Sequence, residues 1–404
     1  MINVIGNFVP TAQDLEYKSS ITITVQQNFL VLHPDLLVTA TAIANASYCQ
    51  RRPHISTLLS TASKPTPVLI WGTILHEIMQ ACLQTSRWDD EFINDTTDRL
   101  LRANMDSLVQ LDVNIDVAKA EIQKRAQGLR EFSRRYIGTG VNQKPRANAV
   151  LSDSHAPKGQ QALLAICGLH AVEEDICSPR YGIKGKLDAS LRVVLEESDR
   201  GKDVKRTVMD MPFEIKTGTS KSAMEHRAQT MLYTILMEER YGKLPTLVVT
   251  LSKDYTGTQV PAGLLYYTQS EELIRVSAAR NELRALIQSR NNMVAYMHRR
   301  TAGAIKSDVE PLPFLPPTED DKRTCGRCYV VDGCMLYRKV CDSTSCHMNL
   351  ITYKHSGSRE CRGHHQRDCR NLPREDGSFD TSSMHVLQGL GGAHFTRRAG
   401  DDQV

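Results

Sequence analysis

The stretch MPFEIKTG, Met211–Gly218, has the pattern of a β-strand that ends at a glycine. Successive side chains of a strand point to opposite faces of the sheet, so Phe213 and Ile215 face one way. Glu214 and Lys216 face the other way. The sequence therefore places an acid beside a base, which is either a functional pair or, more commonly for an isolated Glu-x-Lys, a salt bridge on an exposed face.

A second strand is predicted in YGIKGKLDASLRVVLEE, residues 181–197, and the charged loop SDRGKDVKR joins the two strands into a hairpin. Pairing of the strands brings Asp188 close to Glu214 if their register aligns. Two neighbouring carboxylates repel each other unless a cation lies between them. Their oxygens, with a backbone carbonyl such as that of Ile215, suit Mg²⁺ or Mn²⁺. Lys216 would then hold a water molecule or stabilise charge on a phosphate.

An amphipathic helix is predicted in PVLIWGTILHEIMQACLQ, residues 67–84, with an apolar side formed by Leu69, Trp71, Ile74, Leu75, Ile78 and Cys82. His76 belongs to this helix. It is either a core histidine with a satisfied ring or a metal ligand that joins Asp188 and Glu214. A later helix contains HRAQTMLY, in which Gln229 and Tyr233 are four residues apart and share a face.

The order of these motifs resembles the RecB-like branch of the PD-(D/E)XK nuclease superfamily. The resemblance implies an α/β fold, with a mixed central sheet flanked by helices as in restriction endonucleases. It also implies that His76, Asp188, Glu214 and the Ile215 carbonyl bind the catalytic metal. In the same scheme Lys216 is catalytic and Gln229 and Tyr233 support the site. Glu173 and Glu174 are less certain candidates for an outer metal contact.

Five of the eleven cysteines lie close together, and three of them form CGRCYVVDGC, a C-x2-C-x5-C group of Cys325, Cys328 and Cys334. Three thiolates leave a four-ligand site one short. A fourth ligand from nearby, such as Cys341, would indicate structural zinc. A distant fourth ligand, Cys49, would indicate a structural iron–sulfur cluster. Its ligands would close a loop that contains almost the whole domain.

Cys49 followed by the C-x2-C-x5-C group is similar to the plan of iron–sulfur nucleases, which implies a [4Fe–4S] cluster on Cys49, Cys325, Cys328 and Cys334. Cys341 and Cys346 would then be spare, and Cys361 and Cys369 lie in a patternless tail.

Within this branch, residues 30–340 resemble the nuclease domain of the eukaryotic helicase–nucleases that process Okazaki fragments. The resemblance implies cleavage of single-stranded DNA, especially 5′ flaps, in replication and double-strand-break end resection. It also implies a nuclear location with the mitochondrion as a second one, and a single-strand DNA-binding protein and a helicase domain as partners.

Composition excludes few functions. The net charge of +4 permits a nucleic-acid partner without requiring one. The basic residues of KAEIQKRAQGLREFSRRYIG, residues 119–138, form either a solvated helix face or a phosphate-binding strip. No GxxxxGK[ST] loop is present, so we expect no ATPase or helicase activity from this chain. No run of eighteen apolar residues is present, so we expect no membrane partner.

The predicted domain organisation has three parts. Residues 1–35 are the remnant of an upstream β-barrel, residues 36–345 form the nuclease domain, and residues 355–404 are a disordered tail. Three alternatives remain open at this point: an inactive single-strand DNA-binding fragment, a bacterial or CRISPR-type iron–sulfur nuclease, and a zinc-stabilised interaction protein in which Glu-x-Lys is only a salt bridge.

Overall fold

The computed structural model describes residues 1–6, 9–10, 19–24, 28–59, 66–138, 140–153, 160–199, 204–218, 223–241, 262–301, 315–319 and 321–339. The sequence pattern PTLVVTLSKD predicts a strand at residues 245–254, but this segment and the tail predicted after residue 354 lie outside these ranges. So do Cys341, Cys346, Cys361 and Cys369.

The described residues form a mixed α/β structure. Its strands are β1 (Ile2–Ile5), β2 (Val9–Pro10), β3 (Ser19–Ser20), β4 (Phe29–Leu32), β5 (Val38–Thr39), β6 (Ser152–Asp153), β7 (Gln160–Ser178), β8 (Ile183–Asp199), β9 (Lys205–Lys216), β10 (Ala262–Tyr267) and β11 (Glu272–Ser277). Its helices are α1 (Ala40–Ala46), α2 (Arg51–Leu58), α3 (Pro67–Thr85), α4 (Asp90–Ala103), α5 (Met105–Gln110), α6 (Ile115–Arg125), α7 (Gln127–Tyr136), α8 (Met224–Tyr241), α9 (Arg280–Thr301), α10 (Lys322–Cys325) and α11 (Val331–Tyr337).

The central sheet has seven strands in the order β5-β8-β9-β10-β11-β6, and β7 pairs with β8 outside this path. The predicted hairpin is present as β8 and β9, which pair antiparallel from Ala189 opposite Phe213 to Glu197 opposite Lys205. Strand β9 then pairs parallel with β10, so the sheet is mixed. This architecture confirms the predicted fold class.

A gap in the pairing of β8 prepares the site described below. On one edge β8 pairs with β9 as far as Ala189, and it pairs with β5 only at Ile183 and Lys184. Among the described strands, none pairs with residues 185–188 on this edge. The side chain of Asp188 therefore lies where two strands separate, a position that lets polar groups enter the end of the sheet.

Helices cover both faces of the sheet and bury two cores. Consecutive residues of β10 show the alternation directly, since Leu264 and Tyr266 belong to the core under α3, α4, α6 and α7. Leu265 and Tyr267 belong to the opposite core, with α1, α8 and α9. Because both faces are buried, β10 is apolar throughout its length, as expected for an interior strand.

The buried guanidinium of Arg290 in α9 joins three parts of the chain. It donates hydrogen bonds to the carbonyl oxygens of His33 at 2.7 Å, Leu36 at 2.8 Å and Gly182 at 3.1 Å, and also to that of Leu32. Gly182 has a φ of +63°, a left-handed conformation that favours glycine. The segment after β4 is thereby fixed to the start of β8.

Three local predictions differ from the structure. The sequence pattern predicts one helix over residues 114–140, but this segment forms two helices, α6 and α7, that meet at Ala126. The pattern also predicts a helix from Glu271 to Met297, but the helix begins at Arg280, because the residues before it pair with β10 as strand β11. Leu69, predicted on the buried side of α3, is 55% exposed.

The N-terminal residues, predicted as a barrel remnant, contain two short antiparallel pairs, β1 with β4 and β2 with β3. The proposed domain limits stay a prediction. No helix among the described residues is long and apolar enough to cross a membrane.

Candidate functional site

Four predicted site residues converge where β8 and β9 separate. The Asp188 carboxylate accepts a hydrogen bond from the backbone N–H of Ile215 at 2.6 Å. The same Oδ2 atom lies 2.9 Å from Nε2 of His76, which reaches the site from the middle of α3. Glu214 is the neighbour of Ile215 on β9, and the charge of Asp188 acts on it directly. The histidine is therefore placed at the site and not in the apolar core.

Glu214 is an almost completely buried carboxylate, with 2% of its surface exposed. Burial and then the nearby charge of Asp188 raise its pKa to about 7. Its Oε2 atom has no hydrogen-bond partner among the described residues. A buried oxygen without a partner is costly, and a cation is the kind of ligand that would satisfy it.

Lys216 extends from Glu214 toward helix α8. Its Nζ atom lies 2.5 Å from Oε1 of Glu214 and donates to Oε1 of Gln229 at 3.3 Å. The Gln229 amide donates to the Tyr233 hydroxyl at 2.7 Å, and that hydroxyl donates to the backbone carbonyl of Lys186 at 2.9 Å. Gln229 and Tyr233, the pair predicted on α8, thus connect Lys216 to strand β8 and orient the lysine side chain.

Gly185 permits this close approach of α8 to the sheet. A Cβ atom at this position would lie 2.7 Å from Cε1 of the Tyr233 ring. Only glycine therefore leaves room for the tyrosine whose hydroxyl reaches the next carbonyl of β8.

The imidazole of His76 has acidic partners on both sides. Burial lowers its pKa, but the hydrogen bond and charge of Asp188 outweigh burial, so the pKa of His76 is raised. Its Nδ1 atom lies 2.9 Å from Nε2 of Gln80 and 3.7 Å from Oε1 of Glu173. His76, Glu173 and Asp188 offer ligand atoms that all lie within 4.8 Å of one another.

Glu173, a less certain candidate from the sequence, is therefore part of the cluster, whereas Glu174 lies in another network. Glu174 accepts hydrogen bonds from Ser190 at 2.5 Å and Tyr241 at 2.7 Å. Gln80 was missed by sequence reasoning, although it lies four residues after His76 and so on the same helix face. His226 was also missed, and it lies close enough to Lys216 for the lysine charge to act on it.

A cleft of about 720 Å³ opens onto these groups. Its lining includes His76, Gln80, Glu173, Ile215 and Lys216, together with the first turns of α3.

Burial and then the positive charge of Lys216 lower the pKa of His226 to about 4, so this neighbouring ring stays neutral and adds no charge of its own.

The residues present fit a divalent metal ion. The site supplies two carboxylates, the oxygen donors that Mg²⁺ or Mn²⁺ prefers, together with an imidazole nitrogen, which suits a transition-metal ion. The partnerless Oε2 of Glu214 gives this fit a direct structural basis. The ligand roles of His76, Asp188, Glu214 and the Ile215 carbonyl stay predictions.

The four predicted cluster cysteines also come together. Among the described cysteines, all are free thiols. Burial raises the pKa of Cys325, and the charges of Cys49 and Cys328 raise it further. Burial likewise raises the pKa of Cys334, while the buried Arg51 beside it acts in the opposite direction. The segment between α1 and α2, which carries Cys49, and the C-x2-C-x5-C group therefore meet at one place.

The basic strip predicted in residues 119–138 is largely neutralised. Lys119 pairs with Asp98 at 2.6 Å, and Arg125 pairs with Glu121 at 2.6 Å. Four further ion pairs join Arg130 to Asp90, Arg134 to Glu131, and Arg135 to both Glu131 and Glu271. These contacts favour the solvated, ion-paired face over the phosphate-binding strip.

Comparison with known proteins supports a similarity to one family. The model of the family described as DNA replication factor Dna2 matches residues 1–193, a range that contains Cys49, His76 and Asp188. The chain is similar to Dna2 over these residues. This confirms the resemblance predicted from the motifs.

Individual relatives extend the similarity over most of this Dna2-like chain. The DNA replication ATP-dependent helicase/nuclease dna2 of Schizosaccharomyces pombe is 24% identical over 348 residues, which are 86% of the chain. The human DNA2 protein of the same description is 25% identical over 77% of the chain. JHS1 of Arabidopsis thaliana, also described as a DNA replication ATP-dependent helicase/nuclease, is 27% identical over 84%. The matched part is only 22%, 28% and 22% of these three relatives.

Proposed function

We propose that this chain is a metal-dependent nuclease that hydrolyses phosphodiester bonds of single-stranded DNA, especially in 5′ flaps. The observation that carries the proposal is the convergence of His76, Asp188, Glu214 and Lys216, two of which, His76 and Lys216, line the cleft. The relatives are described as helicase/nucleases of DNA replication, which supports this activity class and a DNA substrate. Okazaki-fragment maturation and double-strand-break end resection, in the nucleus and also in the mitochondrion, are the proposed setting.

In this proposal His76, Asp188 and Glu214 hold the metal ion, with the carbonyl of Ile215 as a further ligand. The bound Mg²⁺ or Mn²⁺ supplies Lewis acidity and lowers the pKa of a water molecule. Asp188 is held in place by the N–H of Ile215, so its carboxylate is oriented before any ligand binds.

Lys216 is assigned to the nucleophilic water or to the charge that develops on the phosphate. Gln229 holds the lysine through its side-chain oxygen, and Tyr233 anchors Gln229 to β8. A lysine held at both its acid partner and its amide partner loses little rotamer freedom when the reaction proceeds, which favours a positioned catalytic role.

We further propose that Cys49, Cys325, Cys328 and Cys334 hold a structural [4Fe–4S] cluster. The charges of Cys49 and Cys328 act on Cys325, and those of Cys49, Cys328 and Cys325 act on Cys334, so the four thiols lie close enough to share one group. A cysteine before the nuclease core, joined by a C-x2-C-x5-C group after it, is the arrangement that supports an iron–sulfur cluster over zinc. A single-strand DNA-binding protein and a helicase domain are the proposed partners.

A nuclease assay on a 5′-flap substrate with Mg²⁺ tests the proposal. Asp188→Asn and Lys216→Ala are each expected to lower the cleavage rate by at least about a hundredfold while DNA binding persists. Lys205→Ala is the matched control, because Lys205 is an exposed lysine at the other end of β9. Tight DNA binding by the unmodified chain without Mg²⁺-dependent cleavage would instead identify an inactive binding module.

A further inference from the structure

We propose that Tyr48, Arg52 and Tyr329 form a surface that binds single-stranded DNA, with a base stacked on the Tyr329 ring and a phosphate held by Arg52. We call these three residues the aromatic–arginine patch. The inference rests on the proposed function, because it names where the proposed substrate is held outside the metal site.

The ring of Tyr329 is exposed and yet held in place. Tyr329 follows Cys328 in the C-x2-C-x5-C group, and 64% of its surface is exposed. The guanidinium of Arg52 on α2 lies over the ring, 4.7 Å from its centroid. The Tyr329 hydroxyl donates to Oγ of Ser56, one turn later on α2, at 3.4 Å. A ring that is already fixed loses little rotamer freedom when a ligand stacks on it, which favours binding.

The chain around the patch carries an excess of positive charge. Residues 321–338 contain four basic and two acidic side chains, and α2 contains two arginines and no acid. One of the two acids, Asp321, caps the N-terminus of α10 by accepting hydrogen bonds from its backbone N–H groups. Lys322 and Arg327 are exposed, and none of the ion pairs among the described residues includes either of them. Such a charge attracts a polyanion.

Two other surfaces suit a single strand less well. The basic side chains of α6 and α7 already hold carboxylates. The lining of the cleft includes the acids Glu77 and Glu173 beside Lys216, so the cleft itself attracts a phosphate weakly unless a cation is bound. The aromatic–arginine patch, in contrast, combines exposed rings with positive charge.

Tyr48 extends the patch toward the lysine of the candidate site. This tyrosine is 39% exposed, and the positive charge of Arg52, four residues later, acts on its hydroxyl. The hydroxyl accepts a hydrogen bond from the backbone N–H of Met224, where α8 begins, at 3.2 Å. The same helix carries Gln229, which accepts from Lys216. A strand bound to the patch therefore lies beside the helix that orients the lysine.

Stacking on an exposed ring distinguishes single strands from duplexes. Every base has a π-face, so a tyrosine ring binds single strands with little preference for sequence. In a duplex the neighbouring base pairs cover these faces, whereas the phosphates stay accessible in both forms. We therefore expect Tyr329 to contribute to single-strand binding alone and Arg52 to contribute to both.

Fluorescence anisotropy of the full chain with a fluorescein-labelled oligothymidine tests the patch, without divalent metal so that no cleavage occurs. Tyr329→Ala is expected to weaken binding by about 5–100-fold, the effect of losing one stacked base. Tyr329→Phe keeps the ring and should bind within about threefold of the unmodified chain. Unchanged affinity in Tyr329→Ala would overturn the inference and leave the patch as a contact surface for a protein partner.

The dependence of affinity on salt separates the ring from the arginine. Arg52→Ala should reduce the slope of log affinity against log salt concentration by about 0.7, the contribution of one phosphate on a single strand. Tyr329→Ala should leave this slope unchanged. Arg99→Ala is the matched control, because Arg99 is exposed on α4 and should change neither affinity nor slope. An unchanged slope in Arg52→Ala would contradict the phosphate contact.

A fully paired duplex is the second probe. Tyr329→Ala should leave duplex affinity unchanged, and an equal loss on duplex and single strand would overturn the stacking role. Because Tyr329 is the neighbour of Cys328, metal content and circular dichroism of each variant are compared as well. A loss of metal that accompanies the loss of affinity would show that the ring protects the cysteine group, and this too would overturn the inference.

Failure of the inference and failure of the proposed function are distinguishable. On a 5′-flap substrate with Mg²⁺, Tyr329→Ala should raise KM and keep kcat within about threefold, since the ring contributes to binding only. A chain that cleaves flaps with an unchanged KM in Tyr329→Ala would remove the role of the patch and leave the nuclease proposal in place. A chain that binds oligothymidine through Tyr329 and cleaves nothing would remove the nuclease proposal alone.

Discussion

The Asp188 carboxylate and the backbone N–H of Ile215 form a hydrogen bond of 2.6 Å that stands in for strand pairing at the point where β8 and β9 separate. One side chain therefore has two tasks, since the same Oδ2 atom also faces His76. The two tasks can be separated experimentally, because an amide can accept the hydrogen bond but lacks the charge that binds a cation.

We expect Asp188→Asn to keep the stability of the chain within about 1 kcal/mol and to lose Mn²⁺ binding, because the amide oxygen still accepts from Ile215. Asp188→Ala should lower the free energy of unfolding by about 1–3 kcal/mol, since it leaves a buried N–H without a partner. Urea denaturation measures the free energy of unfolding of both variants. Equal stability of the two variants would contradict the structural task of the carboxylate.

The buried Glu214 predicts a pH-dependent stability in the absence of metal. Its pKa of about 7 in the folded chain is raised above the ordinary 4.5. The contribution of the protonated carboxyl is thus fully present below pH 4.5 and is lost as the pH rises through 7. Relative to Glu214→Gln, the metal-free chain should lose on the order of 3 kcal/mol over this window.

Thermal unfolding at several pH values with a chelator measures this loss. Addition of Mn²⁺ should restore stability to the unmodified chain above pH 7 and have little effect on Glu214→Gln, because the proton and the metal compete for the carboxylate. Parallel pH profiles of the two proteins would show that Glu214 ionises normally.

The hydroxyl of Tyr233 is expected to matter for activity through Gln229 and Lys216. Tyr233→Phe should lower the cleavage rate on the order of tenfold, as removal of a supporting hydrogen bond leaves the lysine less well positioned. Tyr266→Phe is the control, because its hydroxyl is also buried and donates to the Gly128 carbonyl at 2.7 Å, in the core under α7. Both variants should lose similar stability, and only Tyr233→Phe should lose activity.

The four cysteines predict a coloured protein. Chain purified without oxygen should absorb visible light, and Cys49→Ser and Cys334→Ser should each lose this absorbance together with bound iron. Cys167→Ser should keep both, because this half-buried thiol lies on β7 and donates to the Arg192 carbonyl. Stoichiometric zinc in a colourless chain would contradict the iron–sulfur assignment.

Arg290 predicts a large stability effect far from the cleft. Arg290→Met should lower the free energy of unfolding by about 3 kcal/mol or more, because it removes the hydrogen bonds of a buried guanidinium to four carbonyl oxygens. Arg99→Ala is the control, since Arg99 is exposed on α4 and should change stability by no more than about 0.5 kcal/mol. Chemical denaturation of the two variants measures the difference.

The hairpin and its polar face followed from the sequence because alternation along β8 and β9 is regular. The register then places Asp188 near Glu214, as expected. Strand β7 was missed because its pairing with β8 shifts twice, between Ile166 and Gly168 and between Leu169 and Ala171. Each shift moves the apolar residues to the other face, so no period of two persists across the strand that carries Glu173.

Strand β11 was predicted as helix for a different reason. Glu271 and Glu272 favour a helix start by their own propensity, but the segment fills the sheet edge between β10 and β6. Tertiary pairing overrides such local preferences. The site residues were within reach of sequence reasoning, but the contact of Gln80 with both His76 and Glu173 was not, because it depends on how α3 packs against β7.

The ion pairs on the face of α6 and α7 affect how this face would bind a nucleic acid. Lys119, Arg125, Arg130 and Arg135 already hold carboxylates, so a strand crossing α6 and α7 would exchange protein ion pairs for phosphate contacts. Each phosphate contact here costs a protein ion pair, so few such contacts are expected to form and few condensed counterions to be released from the nucleic acid. Affinity measured against salt concentration should therefore fall with a shallow slope, and Arg130→Ala should leave that slope unchanged.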